Sequence, residues 1–356
     1  MSQNIIKYQS KSLGESSYPQ LIKKRLYWVC TSFLILMTLL VVDILVGPAF
    51  LNIFDVLSAL ALPQEQSDPT VYVIVHSIRL PMTLMALTVG VSLGVAGVQM
   101  QTILGNPLAS PYTLGFSAAA GFGAAITILI GIELPFIPEF TVPFVAFLMS
   151  GLACSIVYGI AHIRGVTAEI MILAGIATLF LFQSLQSLVQ YMASPEVLQE
   201  IVFWLFGSML KASWFSVMVS GGILVVSITF LAKHNWQLTA LRMGDERAIS
   251  LGVNVKHLRI KVFAVVSLLT AGAVAFVGTI GFIGLVAPHI ARILVGEEHR
   301  MLMPLSGIIG GLLMIGASIT SKIISPGYVV PIGIVTAVIG VPFLFALIFT
   351  HKKRHW

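Results

Sequence analysis

Ten long apolar segments restrict what this chain can fold into. They lie at about 26–46, 80–103, 112–132, 142–162, 168–192, 213–233, 260–281, 282–296, 303–322 and 329–350. About 20 apolar residues cross a bilayer as a helix, and a helix satisfies its own backbone hydrogen bonds in lipid. The pattern therefore predicts an all-α polytopic membrane protein with about ten transmembrane helices. The segment 282–296 is short for a full crossing, and we expect a short helix surrounded by protein.

Composition agrees with a membrane protein and argues against other classes. Only 10% of the residues are charged, compared with about 25% in a typical globular protein. Both cysteines, Cys30 and Cys154, lie in apolar segments and are interpreted as small core residues, so we expect no disulfide and no metal site. The net charge of +6 is not accompanied by exposed aromatics between the basic residues, so no nucleic-acid partner is expected.

The positions of lysine and arginine predict the topology. Of the 20 lysines and arginines, all but Arg79, Lys211 and Lys322 are predicted to lie on the same side of the membrane as the N-terminus. Lys7 and Lys11 are among them. Because basic residues concentrate in cytoplasmic segments, both termini are predicted to be cytoplasmic. The chain then divides into an N-terminal tail at 1–25, a single transmembrane domain at 26–350 and a C-terminal tail at 351–356. Asp43, near the outer end of the first span, is expected at the interface.

A polar island interrupts the apolar segments at Arg242–Lys261. It holds seven of the charged residues, and the topology places it in the cytoplasm. Asp245 and Glu246 suit the start of a helix, where negative charge complements the helix dipole, and Gly252 suits the position just after its end. We therefore expect short cytoplasmic helices at about 240–258, with an apolar face that includes Ala248 and Leu251.

Several catalytic and nucleotide-binding motifs are absent from the sequence. It has no G-x-x-x-x-G-K-[ST] segment to hold nucleotide phosphates and no H-E-x-x-H zinc motif. The predicted spans also carry no charged residues near their middle that could bind coupling ions. We expect a protein that is not an enzyme, holds no cofactor and takes any energy from a partner.

Two of the spans are interrupted by proline and glycine. One interruption is Gly105–Pro111, with Asn106 and Pro107, and the other is Gly278–Arg292, with Pro288 and His289. Broken helices of this kind commonly line a cavity, although a tight turn explains the first one equally well. His289 has no second ligand at helical spacing, so it is interpreted as a packed or interfacial histidine.

Six motifs in one order resemble the permease subunits of iron–siderophore, haem and vitamin B12 importers, the type II ABC importers. The similarity extends from about 79 to 349. The motifs are RLP at 79–81, GxxxQ with NPLAxPxxLG at 106–115, LAG at 173–175, MGDERAxxLG at 243–252, GxIGFIGLVAPHIAR at 278–292 and PIGIVTAVIGVPF at 331–343. Met82, Ser318 and Val329 stand where the family often has a charged residue, so the docking positions match less well than the rest.

The resemblance implies the partners of an importer. These are a second permease subunit (an identical copy or a paralogue), two cytoplasmic ATPase subunits that bind ATP and Mg, and a periplasmic binding protein, assembled in the bacterial inner membrane. It implies that Arg79 and Lys322 dock the binding protein. Residues implied to couple to the ATPase are Arg242, Met243, Gly244, Asp245, Glu246, Ala248, Leu251 and Gly252.

The translocation path and the cargo are predicted less directly. The fifth span combines the resemblance with polar side chains, and the broken helices add more candidates. The path residues predicted are Gln99, Asn106, Pro107, Thr178, Gln183, Gln186, Pro288 and His289. A ferric siderophore complex is the expected cargo, with haem, cobalamin or an oxyanion as alternatives. An ion-coupled secondary transporter and a non-transporting membrane scaffold are the competing classes.

Overall fold

The computed structural model describes residues 17–47, 51–135, 137–325 and 327–350. The predictions for Lys7, Lys11 and the C-terminal tail at 351–356 lie outside these residues. The described residues form fifteen α-helices. In chain order they are α1 (Ser17–Leu45), α2 (Ile53–Ala61), α3 (Pro69–Val73), α4 (Leu80–Ile103), α5 (Phe116–Ile130), α6 (Thr141–Arg164), α7 (Ala168–Met192), α8 (Pro195–Phe206), α9 (Trp214–Lys233), α10 (Asn235–Leu241), α11 (Asp245–Ser250), α12 (Val255–Val277), α13 (Ile283–Val295), α14 (His299–Ile323) and α15 (Ile332–Thr350).

The all-α polytopic fold is confirmed, with ten apolar helices at the predicted places. Seven of the helices in the described ranges are long and apolar enough to cross a membrane, and α5, α13 and α15 are shorter apolar helices. Helix α13 has 13 residues, a length of about 20 Å against a hydrocarbon core of about 30 Å. It packs against α4 and α14, so the expected short helix inside the protein is also confirmed.

Helix α4 lies at the centre of the fold. In the apolar stretch of 18 residues selected from Pro69–Ile103, the segment that ends in α4, 83% of the residues are buried, compared with 17% in the corresponding stretch of α1. Helix α4 packs against α9, α12, α13 and α14. Glycines make this packing possible, because the backbone of Gly90 faces that of Gly310 and the backbone of Gly94 faces the Ser306 carbonyl. The close helix approach that small residues at this spacing permit is therefore present.

Gly97 makes a third close approach on α4. It faces the carbonyl group of Gly284 in α13 so closely that no Cβ fits between them. Helices α4, α13 and α14 are consequently joined backbone to backbone.

Some elements were not predicted from the sequence. Helix α8 lies in the outer segment, starts at Ser194 and Pro195, and has its first turn capped by the Ser194 side chain, which accepts from Val197 N. Helix α10 precedes the polar island and buries Leu238 and Leu241. Both helices are shorter than a membrane span, so neither appears in the sequence as an apolar segment of bilayer length.

Candidate functional site

The polar island, which is predicted to be cytoplasmic, folds around the short helix α11. Asp245 and Glu246 occupy its first turn, as expected. At its end Gly252 has φ +84°, and its N–H donates to Ile249 O while Val253 N–H donates to Ala248 O. This pair of hydrogen bonds is a Schellman motif, which favours glycine in the left-handed region. The expected helix stop at Gly252 is therefore present in the structure.

The apolar surface of α11 differs from the expected one. Ala248 is fully buried, whereas Leu251 is 50% exposed and Ile249 is 61% exposed. Met243, just before the helix, is also exposed. The prediction that Ala248 contributes to an exposed apolar face is wrong, because Ala248 points inward and its carbonyl closes the turn at Val253. The exposed apolar face consists of Met243, Ile249 and Leu251.

Arg259, near the start of α12, holds α11 to the transmembrane helices. Its guanidinium donates to both carboxylate oxygens of Asp245 at 2.7 Å. Its Nε donates to Ile103 O at 2.8 Å, and Nη1 donates to Val166 O at 3.5 Å. The side chain of Arg259 is 6% exposed and that of Asp245 47% exposed. Arg259 thus joins α11, the end of α4 and the loop between α6 and α7, and sequence reasoning did not single it out.

A second set of charged contacts starts at Arg242, the first residue of the polar island. Arg242 forms an ion pair with Glu297, and Glu297 also lies 3.3 Å from Arg292 Nε. Arg292 Nη2 in turn donates to Gln101 Oε1 at 2.7 Å. Glu297 therefore bridges the island and the end of α13, and Arg292 continues the contact to α4.

A cytoplasmic cavity of about 700 Å³ lies between these contacts. Its lining includes Gly105 and Pro107 from the first helix break, His289 from α13, and Asp245 and Arg242 from the island. The two broken segments that were predicted to line a translocation path thus contribute to a cavity beside α11. Asn106 has a local role there, because its Oδ1 accepts from Leu108 N at 2.9 Å. Pro288 is buried within α13.

The other predicted path residues are scattered. Gln99 is fully buried on α4, and neither its Oε1 nor its Nε2 has a hydrogen-bond partner among the described residues. Thr178 is buried and donates to Ala174 O in its own helix at 2.8 Å. On the same helix Gln183 is exposed and Gln186 packs against Gly121 of α5. The structure does not bring these four residues into one cavity.

A second cavity of about 580 Å³ lies where the two helix breaks approach each other. Its polar lining includes Ser110, Thr113 and Thr279, and its apolar lining includes Tyr112 and Phe282. Phe282 has φ +67°, the single positive φ of a non-glycine residue in the described ranges. Such a conformation in a bulky residue is uncommon and is often found near functional sites. None of these five was named as a path residue from the sequence, although Ser110, Thr279 and Phe282 lie in the two broken segments that were expected to line a cavity.

Asp43 lies in the interior and not at the interface, so that expectation is wrong. Its side chain is fully buried, and its Oδ1 lies 2.8 Å from Nζ of Lys322, whose side chain is 2% exposed. Lys322 also donates to the backbone carbonyl of Asp43 at 2.9 Å, and Thr83 Oγ1 donates to Asp43 Oδ2 at 2.5 Å. A buried charge needs such partners, and they come from α4 and α14.

Arg79 lies beside this ion pair. Its Nη1 donates to Ile44 O at 2.9 Å and to Leu45 O at 2.8 Å, so its positive charge lies at the C-terminal end of α1, where it complements the helix dipole. The guanidinium also fills the space next to Gly47. Arg79 and Lys322, the two residues predicted to dock a binding protein, are 3% and 5% exposed. In this conformation they bind groups of their own chain.

The outer surface carries exposed charged residues of another kind. Lys211, Glu139 and Glu200 are exposed and line an outer cavity of about 800 Å³. Hydrogen bonds from its own backbone N–H and from Ser194 lower the pKa of the exposed Glu196 carboxyl in α8. In the part of the chain that the structure describes, no three His, Cys, Asp or Glu side chains are grouped closely enough to hold a metal ion.

Comparison with known proteins identifies the family. The model of the FecCD transport family matches residues 34–350, which includes the later part of α1, all of the following spans and the polar island. The chain belongs to the FecCD transport family. This FecCD permease is 34% identical to the Fe(3+)-citrate import system permease protein YfmD of Bacillus subtilis, over 85% of this chain and 88% of the relative. It is also 34% identical to the cobalamin import system permease protein BtuC of Halobacterium salinarum, over 83% and 79%.

A solved structure agrees with the sequence relatives. The FecCD permease superposes with a TM-score of 0.79 on a transporter described as of the metal-chelate ABC type in an inward-facing conformation. The two are 29% identical, and the match covers 93% of this chain and 99% of the other. The FecCD permease is therefore a multi-pass membrane protein with the type II ABC importer fold, a transport subunit that works with partner subunits.

Proposed function

We propose that this FecCD permease moves a ferric siderophore complex from a periplasmic binding protein into the cytoplasm of a bacterium, through the inner membrane. A separate ATPase subunit that binds ATP and Mg supplies the energy. The observation that carries this proposal is the arrangement of α11. Glu246 and Ile249 of α11 are exposed, as is Leu251 directly after it, while Asp245 ties the start of the helix to Arg259. A helix held in this way suits the transfer of movement from a cytoplasmic partner.

The remaining partners follow from the family and from the exposed surface. We propose two permease subunits in the assembly, together with two ATPase subunits and one binding protein. Exposed apolar side chains on α7 and α15, such as Phe180 and Val338, supply surface for a second permease and for lipid. A large exposed apolar surface in water marks an interface with another protein or with a membrane.

The cargo is proposed from the names of the relatives. YfmD is named for Fe(3+)-citrate, and the solved transporter is described as of a metal-chelate type. The cobalamin permease has the same identity as YfmD, so cobalamin is the alternative within this family, followed by haem and an oxyanion. Among the described residues, no charged side chain lines the cavity between the helix breaks, which suits a cargo whose charge is enclosed by a chelator.

An uptake experiment tests both the function and the cargo. The permease, the ATPase and the binding protein encoded beside it are reconstituted in vesicles, with ferric citrate, a ferric hydroxamate, haemin and cyanocobalamin as probes. We expect uptake of the ferric hydroxamate that requires ATP hydrolysis and persists without an ion gradient. Uptake that continues without ATP and stops with the gradient would instead show a secondary transporter. Preferential uptake of cyanocobalamin would keep the family assignment and change the cargo.

The exposed surface of α11 gives a second test. Glu246→Lys reverses the charge in the first turn, where a negative charge is favoured by the helix dipole by about 0.3–1 kcal/mol, and it changes the surface offered to the ATPase. We expect loss of ATPase co-purification with normal membrane insertion. Glu169→Lys, the same reversal at an exposed position of α7, is the control and should co-purify normally. Equal co-purification of both variants would contradict α11 as the docking surface.

A further inference from the structure

We infer that the last turn of α4 receives the movement of α11 through two separate chains of charged contacts. This inference rests on the proposed function, because it concerns how an ATPase partner acting on α11 would move the transmembrane helices. It adds a positioning role for Arg259 and Glu297, two residues outside the exposed α11 surface.

The first chain is short, and its central residue, Arg259, is buried, with a side chain that is 6% exposed. Asp245, in the first turn of α11, accepts two hydrogen bonds from Arg259, and Arg259 donates a third to the carbonyl of Ile103. The planar guanidinium makes all three at once, since it can bind a carboxylate with two N–H groups and still direct Nε elsewhere. A displacement of Asp245 therefore acts on the final residue of α4 through one rigid guanidinium group.

The second chain reaches the same turn from another direction. Arg242, before α11, pairs with Glu297, which contacts Arg292, and Arg292 donates to the side chain of Gln101. Gln101 is fully buried, and Arg292 is 14% exposed at its side chain. Glu297 is 50% exposed at its side chain, so the contact from Arg292 to Gln101 is the part of this chain from which water is largely excluded and where a charged contact is stronger. Both chains thus end on α4 within one turn, at Gln101 and at Ile103.

The position of this turn explains why movement there matters. It is followed directly by the first helix break, Gly105–Pro111, which leads to Tyr112 and Thr113 in the cavity between the two breaks. On its other side α4 joins α13 and α14 by backbone contact at Gly97 and Gly94. A shift of the turn thus acts on the break and on the centre of the fold together.

The test measures whether α11 and the helix break move together. Spin labels are placed at Ser250 in α11 and at Leu108 in the break, both exposed, after Cys30 and Cys154 are replaced by alanine. The complete transporter in vesicles is compared with and without ATP, Mg and vanadate. In the unaltered chain we expect no change in the distance from Ser250 to Leu108 on nucleotide binding. In the double variant Arg259→Gln with Glu297→Gln, we expect that distance to change, because α11 moves without α4.

Single variants and a control complete the design. A coupling between two sites typically changes an equilibrium by about 5–150-fold. Each contact chain carries part of this coupling, so each single variant should show the altered distance in a smaller fraction of the molecules than the double variant does. The control Lys256→Gln with Glu169→Gln removes the same two kinds of charge from exposed positions and should behave as the unaltered chain.

Two results would overturn the inference: an unchanged distance in the double variant, or a nucleotide-dependent change in the unaltered chain. Loss of ATPase co-purification in the double variant would also overturn it, because the two chains would then only maintain the shape of α11. Failure of the proposed function is a different result, since it appears as unaltered transporter that shows no ATP-driven uptake.

Discussion

Asp43→Ala is expected to destabilise the folded permease by about 3–5 kcal/mol, the cost of breaking a buried ion pair by removing one partner. The substitution leaves Lys322 charged and almost completely buried, and it removes the acceptor of the Thr83 hydroxyl. Thermal unfolding of the purified protein in detergent, followed by gel filtration with fluorescence detection, measures the effect.

Two further variants separate the ion pair from a general effect of acid removal. Asp43→Asn with Lys322→Met removes both charges and should recover most of the stability, since replacing a whole buried pair by uncharged residues is often neutral. Glu133→Ala removes an exposed acid on the same side and should change the unfolding temperature little. Equal unfolding temperatures for Asp43→Ala and Glu133→Ala would contradict a structural role for the pair.

Gly97→Val is expected to destabilise the permease by about 3 kcal/mol or more, at the upper end of the range for overpacking a core. The added side chain would occupy the space of the Gly284 carbonyl group, and a backbone cannot rotate away as a side chain can. We expect reduced yield in the membrane and a lower unfolding temperature in detergent.

Gly151→Val is the matched control for this substitution. Gly151 also lies inside a membrane-spanning helix, α6, and a Cβ there would meet no atom within 4 Å. Both variants carry the same change in helix propensity, so the difference between them reports the backbone contact. If the two unfold at the same temperature, α4 and α13 are not held by close approach at Gly97.

Much of the fold could be predicted because its signals are local. A span of bilayer length is visible in the sequence by itself, and the positions of lysine and arginine determine its direction. Asp43 could not be placed from local signals, because its partner Lys322 is 279 positions away in the sequence. An acid near the end of a span looks the same whether it reaches water or an internal lysine, so the sequence predicted an interfacial residue.

The candidate site was predictable to a similar degree. Gly252 and the acids of the polar island carry local capping signals, and the structure agrees with them. The inward direction of Ala248 depends on packing against the rest of the chain, which a six-residue helix is too short to reveal by periodicity. Thr178 is polar but bonds within its own helix, and Phe282 carries no sequence signal for a left-handed backbone.

The backbone contacts between α4, α13 and α14 have a mechanical consequence. Helices separated by interlocking side chains can slide when those side chains change rotamer. At Gly94 and Gly97, however, backbone meets backbone, and at Gly90 the backbone of Gly310 is joined only by the Cβ of Met314. These three helices therefore form one stiff unit that can tilt or translate but cannot shear internally. Conformational change during transport should be concentrated at the borders of this unit, with the more exposed helices α6, α7 and α9 as the parts that shift against it.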